Sequence, residues 1–395
     1  MRDRFSGSMM TAAIAAATLG AVFSASVIPA SAQASPSSAT AQKTPWGDPD
    51  LQGIWTDEFD TPLQRSAKYA DQEFFTEAQR AELDRVRSEI LGRFATERAI
   101  NGAYNAATFF STKRTGPRTS KISDPPNGRI PPLTADAQKA AAADRDFRLA
   151  LLQSTDTCKK NLPGCAGGKY DPTASPRRAE APPRYNTANI NRYDGPEDGT
   201  LGNRCLTLGL PEFGGPTGSF RRIVQTPGGI SIFYDVGQGQ GWQRNIVMDG
   251  SPHLPASIRQ WFGDSRGHWE GNTLVIDVTN FSPKTDYQGS RENLHLIERW
   301  TRTGPTSLAY EVTMEDPTVW TRPWTVKQEF GKQSDQENRI YYEPRCLEGN
   351  YALPGWLRGH RLEELAFTEG RGPDPATRDG SEALTQAAVP QDPLQ

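Results

Sequence analysis

The stretch that decides the fold runs from Ile258 to Arg302, IRQWFGDSRGHWEGNTLVIDVTNFSPKTDYQGSRENLHLIERWTR. In NTLVIDVTNF, Leu274, Ile276 and Val278 alternate with polar residues, which makes one apolar strand face and puts Asp277 on the other. In LHLIERWTR the same period places Leu294, Leu296, Glu298 and Trp300 on one face and His295, Ile297, Arg299 and Thr301 on the opposite one. The first face is the more apolar and is expected to point inward. The stretch reads as a meander of antiparallel strands.

Working outward, the strand pattern continues on both sides. RRIVQTP and GISIFYDV flank Pro227-Gly228-Gly229, with Ile230, Ile232, Tyr234 and Val236 facing one way. Further strands are expected over 242–248, 258–262, 272–281, 294–302, 307–314, 324–330 and 339–345. About nine short strands with no intervening helix predict a mainly β fold, an antiparallel up-and-down barrel that is lipocalin-like in outline. The 36 Gly and 31 Pro agree with strands, turns and long ordered loops.

Before the barrel, residues 46–203 read as an N-terminal arm. Thr76 and Gln79 form a T-x-x-Q capping box, and Leu83, Val86, Ile90 and Phe94 repeat at helical spacing behind it. A second helix is expected from Thr134 to Gln153, and residues 155–203 read as a long loop. The barrel domain is assigned to 204–364. The tail, 365–395, lacks hydrophobic periodicity and is expected to be disordered.

At the other end, Arg2 and Arg4 precede a small apolar run, Met9 to Ile28, and Ala30-Ser31-Ala32 supplies a cleavage pattern. Residues 1–32 therefore read as a signal peptide and 33–45 as a linker, with the mature protein periplasmic or secreted. No later segment has the length and apolarity of a membrane span, so no stable membrane insertion is expected. The net charge of -3 shows no basic footprint, which argues against a nucleic-acid partner. Oligomeric state is not legible.

Four cysteines in an exported chain favour disulfides. Cys158 and Cys165 flank a Pro-Gly loop that can close on itself, which would leave Cys205 to pair with Cys346; four cysteines allow three connectivities. No C-x-x-C, H-x-H or H-E-x-x-H spacing supports a metal site, so no metal and no cofactor is expected.

Among candidate sites, Gly263-Asp264-Ser265-Arg266-Gly267 matches the G-x-S-x-G pattern of a nucleophile elbow, but a strand follows it where the elbow needs a helix. It is read as a hairpin turn. Glu298, between Leu296 and Trp300, is expected to be desolvated and suited to acid–base work, with Tyr234, Tyr310 or His295 as its helper; a structural carboxylate paired with an inward arginine is the alternative. Tyr234, Tyr310, Trp300, Trp324 and Arg299 are the candidate ligand-binding residues, through stacking and cation–π contacts with a small aromatic or hydrophobic molecule. His295 and Arg299 would line a cleft only if the arm covers the outer face.

The blocks PWGDPDLQGIW, RTSKISDPPNGRIPPL, HLPASIRQWFGDSRGHWEGNTLVIDVTNF, ENLHLIERW, DPTVWTRPW and CLEGNY together resemble a family of exported bacterial proteins, over roughly Trp46 to Arg361. The resemblance implies one integrated domain and export, and it implies no catalytic residue. The family pattern carries a histidine where this chain has Leu347 and another near Gly241; a chemistry resting on them would be changed or lost here. Two functions remain open. One is a cofactor-independent lyase, isomerase or hydratase with Glu298 as acid–base group, for which Glu298→Gln should abolish turnover. The other is a small-molecule or glycan binding protein without catalysis.

Overall fold

The computed structural model describes residues 42–57, 59–101, 113–206, 209–213, 220–237, 240–334, 346 and 351–380. The expected signal peptide, the linker through residue 41, the strand expected over 339–345 and Leu347 lie outside them.

The arm contributes strand β1 (Gly53–Thr56), the short pair β2 (Phe59–Asp60) and β3 (Arg114–Thr115), helix α1 (Glu77–Asn101), strand β4 (Ile122–Asp124), helix α2 (Ala135–Leu152) and the single turn α3 (Asp156–Lys159). The main sheet follows with β5 (Phe220–Thr226), β6 (Gly229–Gly237), β7 (Gln240–Val247), β8 (Asp264–Glu270), β9 (Thr273–Thr279), β10 (His295–Arg302), β11 (Ser307–Glu315) and β12 (Trp324–Lys332), and then helix α4 (Ala352–Thr368). Both predicted helices form, the first with its predicted capping box and the second capped by Thr134. Gln79 N–H donates to Thr76 Oγ1 and Thr76 N–H to Gln79 Oε1, and Ala137 N–H donates to Thr134 Oγ1.

Strands β5 to β12 lie side by side in sequence order, and β1 pairs with both β5 and β12. The sheet is therefore a closed barrel of nine strands, with β4 added beside β12. The barrel is lipocalin-like in outline, as expected, but three details differ. Its closing strand comes from the arm. The step from β7 to β8 is parallel, held by the single pair Val247 and Arg266, so the meander is not antiparallel throughout. And residues 258–262 are not a strand, since only Gln260 makes an isolated bridge, to Phe281. Pro252 and Pro255 occupy the crossover 248–263 and supply no N–H to a ladder.

The G-x-S-x-G run is not a turn either: from Asp264 onward it is β8 itself. A β-carbon at Gly267 would lie within 3 Å of the side chains of Ile246 and Met248, so the glycine gives room to these inward side chains beside β8. No helix follows it, and the hydrolase elbow stays rejected.

Alternation fills the barrel. Trp55, Trp300, Trp324, Tyr234, Tyr310 and Phe330 all point inward and are buried with Arg221, Arg244 and Glu298. The interior is packed with side chains, the alternative to an enclosed ligand chamber for a barrel of this size.

Disulfides join Cys158 to Cys165 and Cys205 to Cys346. The second spans 141 positions, the first seven. Because a crosslink acts largely through the unfolded chain, replacing Cys205 and Cys346 by serine is expected to cost about 2–5 kcal/mol, and more than replacing the short-loop pair. Urea midpoints of the two double variants check the order.

The tail corrects a further expectation. Helix α4 runs on to Thr368, and residues up to 380 dock on the stapled loop. Ser154 Oγ donates to Ala376 O, Thr157 Oγ1 to Asp379, and Gly380 N–H to Asn191 Oδ1. Only residues 381–395 of the tail lie outside the description.

Candidate functional site

Strand β10 has chemistry on both faces. On the inner face Glu298 is wholly buried, and Arg244 from β7 sits 2.7 Å from its Oε2. The Tyr310 hydroxyl donates to Glu298 Oε1 at 2.8 Å, and Arg244 donates onward to Ser265 Oγ and the Tyr234 hydroxyl. Burial raises the Tyr310 hydroxyl well above its ordinary value, with the Glu298 charge adding to it. Burial likewise pushes Tyr234 up to about 12. Trp300 lies against Tyr310, ring centres 4.2 Å apart. Inward Tyr234, Tyr310, Trp300 and Glu298 are where the alternation placed them, and Trp324 is buried in the same interior, but Glu298 has the arginine partner of the structural reading.

On the outer face His295 meets different partners. Its Nε2 lies 3.0 Å from Asp277 and its Nδ1 3.2 Å from Glu315. The wall of the barrel separates it from Glu298, so the expected acid–base pairing of these two residues does not form. Hydrogen bonding to Asp277 raises the His295 pKa against the opposing effect of burial. The same bond holds Asp277 below the usual carboxylate range.

The arm does cover part of the outer face, and a cleft of about 470 Å³ lies between them. Its roof carries Phe59, Phe74 and Arg118; its floor carries outward residues of β10 to β12, among them Arg299 and Lys327. Arg118 lies over the Phe74 ring at 5.3 Å, and Phe74 is half exposed. Arg299 is thus a cleft residue, whereas His295 is not. Lys121, beside β4, also lines it. Lys121 Nζ donates to Phe213 O at 2.8 Å, and burial pulls its pKa down to about 8, against the pull of Asp57. Asp57, raised by its own burial, is bridged by Lys113 at 2.7 Å and by Gln328. The sequence reading missed Lys121, which sits in an extended Pro-rich segment; nothing local marks it as buried.

No family model matches the chain, and no curated protein matches it. Among solved structures, a secretory abundant heat soluble protein from Ramazzottius varieornatus is similar, at 13% identity and a TM-score of 0.22, over 34% of this chain and 82% of that one. A point mutant of the fluorescent protein UnaG is similar at 13% identity and a TM-score of 0.20, over 30% of this chain and 73% of that one. Likenesses at that level carry no argument about function. The barrel stands on this chain's own strand pairing.

A larger groove of about 1050 Å³ lies between α2, the 184–191 segment and the turns at one end of the barrel. Its charges largely satisfy one another. Arg184 pairs with Asp144, Arg291 with Asp286, and Asp316 accepts from Ser290 and Thr318. It has no aromatic lining residue. Among the described residues no helix is long and apolar enough to cross a membrane.

Proposed function

We propose that this is an exported protein, periplasmic or secreted, that binds a small anionic molecule with an aromatic or apolar body in the cleft under the arm. The observation that carries the reading is the cleft's lining: two phenylalanine rings with four bases (Arg118, Lys121, Arg299, Lys327) against two acids (Glu311, Glu329). Arg118, Arg299 and Lys327 are paired with partly exposed carboxylates (Glu73, Glu270 and Glu311), pairs of small worth that a bound anion can replace. Its volume falls in the range of small-molecule sites, and a mostly apolar wall with a few convergent charges is their usual composition. Two disulfides suit an oxidising compartment, and with the leader-like N-terminus they support export.

Catalysis by Glu298 is the weaker reading. An acid–base group must reach its substrate, and Glu298 is held by Arg244 and Tyr310 with no exposed surface.

Calorimetric titration with aromatic carboxylates and their neutral amides tests the proposal. The carboxylates are expected to bind at least tenfold more tightly, and Arg299→Ala or Lys121→Met should each remove about a tenfold factor. Equal affinity for acid and amide would overturn it. Affinity should also fall as pH rises through about 8, because Lys121 then loses its charge. The linkage has the matching sign for the free protein. Its depressed lysine makes the unfolded chain the better proton binder between about 8 and 10.5, so stability gains from this residue as pH rises through that window.

A further inference from the structure

The outer face of β8 to β11 carries a row of alternating acids and histidines that the cleft does not use. His253, carried over the sheet by the crossover, places Nε2 3.2 Å from Asp277 Oδ1. His295 places its own Nε2 3.0 Å from the same oxygen. The other ring nitrogens are taken by further carboxylates, His253 Nδ1 by Asp264 at 2.9 Å and His295 Nδ1 by Glu315 at 3.2 Å. Asp264 is in turn fixed by the Leu254 N–H and by Arg266. Burial would push the Asp264 carboxyl up, but Arg266 and these hydrogen bonds hold it below its ordinary value.

We propose that His253, His295 and Asp277 form a binding site for a divalent transition metal of the zinc class. Three observations carry it. Both histidines aim the same nitrogen, Nε2, at one carboxylate oxygen. Both have Nδ1 anchored by a second carboxylate, the outer arrangement that fixes tautomer and orientation in histidine metal sites. And the spacing is close: tetrahedral coordination with bonds near 2.0–2.1 Å has ligand–ligand edges of about 3.3 Å. The two N···O separations of 3.2 and 3.0 Å already approach that edge.

Among the described residues no three such groups converge on one point at ligand distance. The metal therefore enters by replacing the two Nε2···Oδ1 contacts, with movement of side chains that are 27%, 30% and 44% exposed. Coordination takes neutral imidazoles, so any proton on either Nε2 leaves to water as the metal enters. The remaining coordination positions face solvent and take water. Imidazole nitrogen with one carboxylate suits zinc, copper or nickel better than calcium or magnesium.

The experiment is Co²⁺ and Zn²⁺ titration of the full, untagged chain. One Co²⁺ per chain is expected, with visible d–d absorption of a low-coordinate nitrogen and oxygen site, displaced by Zn²⁺. His253→Ala and His295→Ala should each weaken binding at least a hundredfold. Glu315→Gln, which leaves all three ligands in place, should weaken it about ten- to hundredfold. Far-ultraviolet circular dichroism shows whether each variant still holds the barrel. Should the alanine variants unfold, the Co²⁺ spectrum of the parent chain and the Glu315→Gln shift still decide. No stoichiometric uptake, a purely octahedral aqua-like spectrum, or equal uptake by folded variants lacking either histidine would overturn the site.

Discussion

Glu298→Gln is expected to cost about 3–5 kcal/mol of stability, because it strands a buried guanidinium. Glutamine keeps an acceptor for the Tyr310 hydroxyl but removes the charge that Arg244 faces at 2.7 Å. Among the described residues Arg244 Nη2 already has no acceptor, and its other bonds go to neutral hydroxyls of Ser265 and Tyr234. Among the described residues no second carboxylate pairs with it. Replacing the pair together, Glu298→Leu with Arg244→Met, should recover most of the loss, since two charges then leave the interior at once. Chemical denaturation of the two single variants and the double variant gives the coupling. A Glu298→Gln protein as stable as the parent would show that the ion pair does not hold the interior, and would reopen the question of what this carboxylate is for.

Trp55→Ala should be similarly severe, about 3–5 kcal/mol, for a different reason. Trp55 has no exposed surface, and its indole N–H donates to Leu51 O at 2.8 Å. It sits on β1, only four residues long, which must bond β5 on one side and β12 on the other. Removing the ring takes away much of the burial that keeps so short a strand in place. Loss of β1 would then expose the edges of β5 and β12, so the variant should also aggregate. Unfolding curves read alongside light scattering test both parts; a soluble variant within about 1 kcal/mol of the parent would contradict the closure argument.

What the sequence revealed follows from these same forces. Period-two alternation is strong where one face is buried, so β9, β10 and β11 and the inward Glu298, Trp300 and Tyr310 were legible. Strand β1 was not, because four residues hold no period and its strand conformation comes from partners far along the chain. Strand β8 was hidden behind turn-forming residues, of which Gly267 here gives room to the inward side chains of Ile246 and Met248. The histidine site was half visible. Alternation put both Asp277 and His295 outside, and the register sets Asp277 opposite Ile297, diagonal to His295. What could not be read was that a crossover carrying Pro252 and Pro255 would bring His253 over the same oxygen. The Arg244 partner of Glu298 was equally hidden, since β7 reaches it only through closure.

The pairing of Trp55 with Lys332 also sets an order of events. The chain is made from its N-terminus, so the strand that seals the barrel is synthesised before every strand it must join. Until β12 is available, β1 has only half its hydrogen-bonding partners, and the growing meander carries an open flank. Contacts so distant in sequence make closure slow relative to the hairpins between them. The dangerous interval in this protein's life is therefore the wait before that last contact, and a holding chaperone would act most effectively on a nearly complete sheet with its first strand still loose.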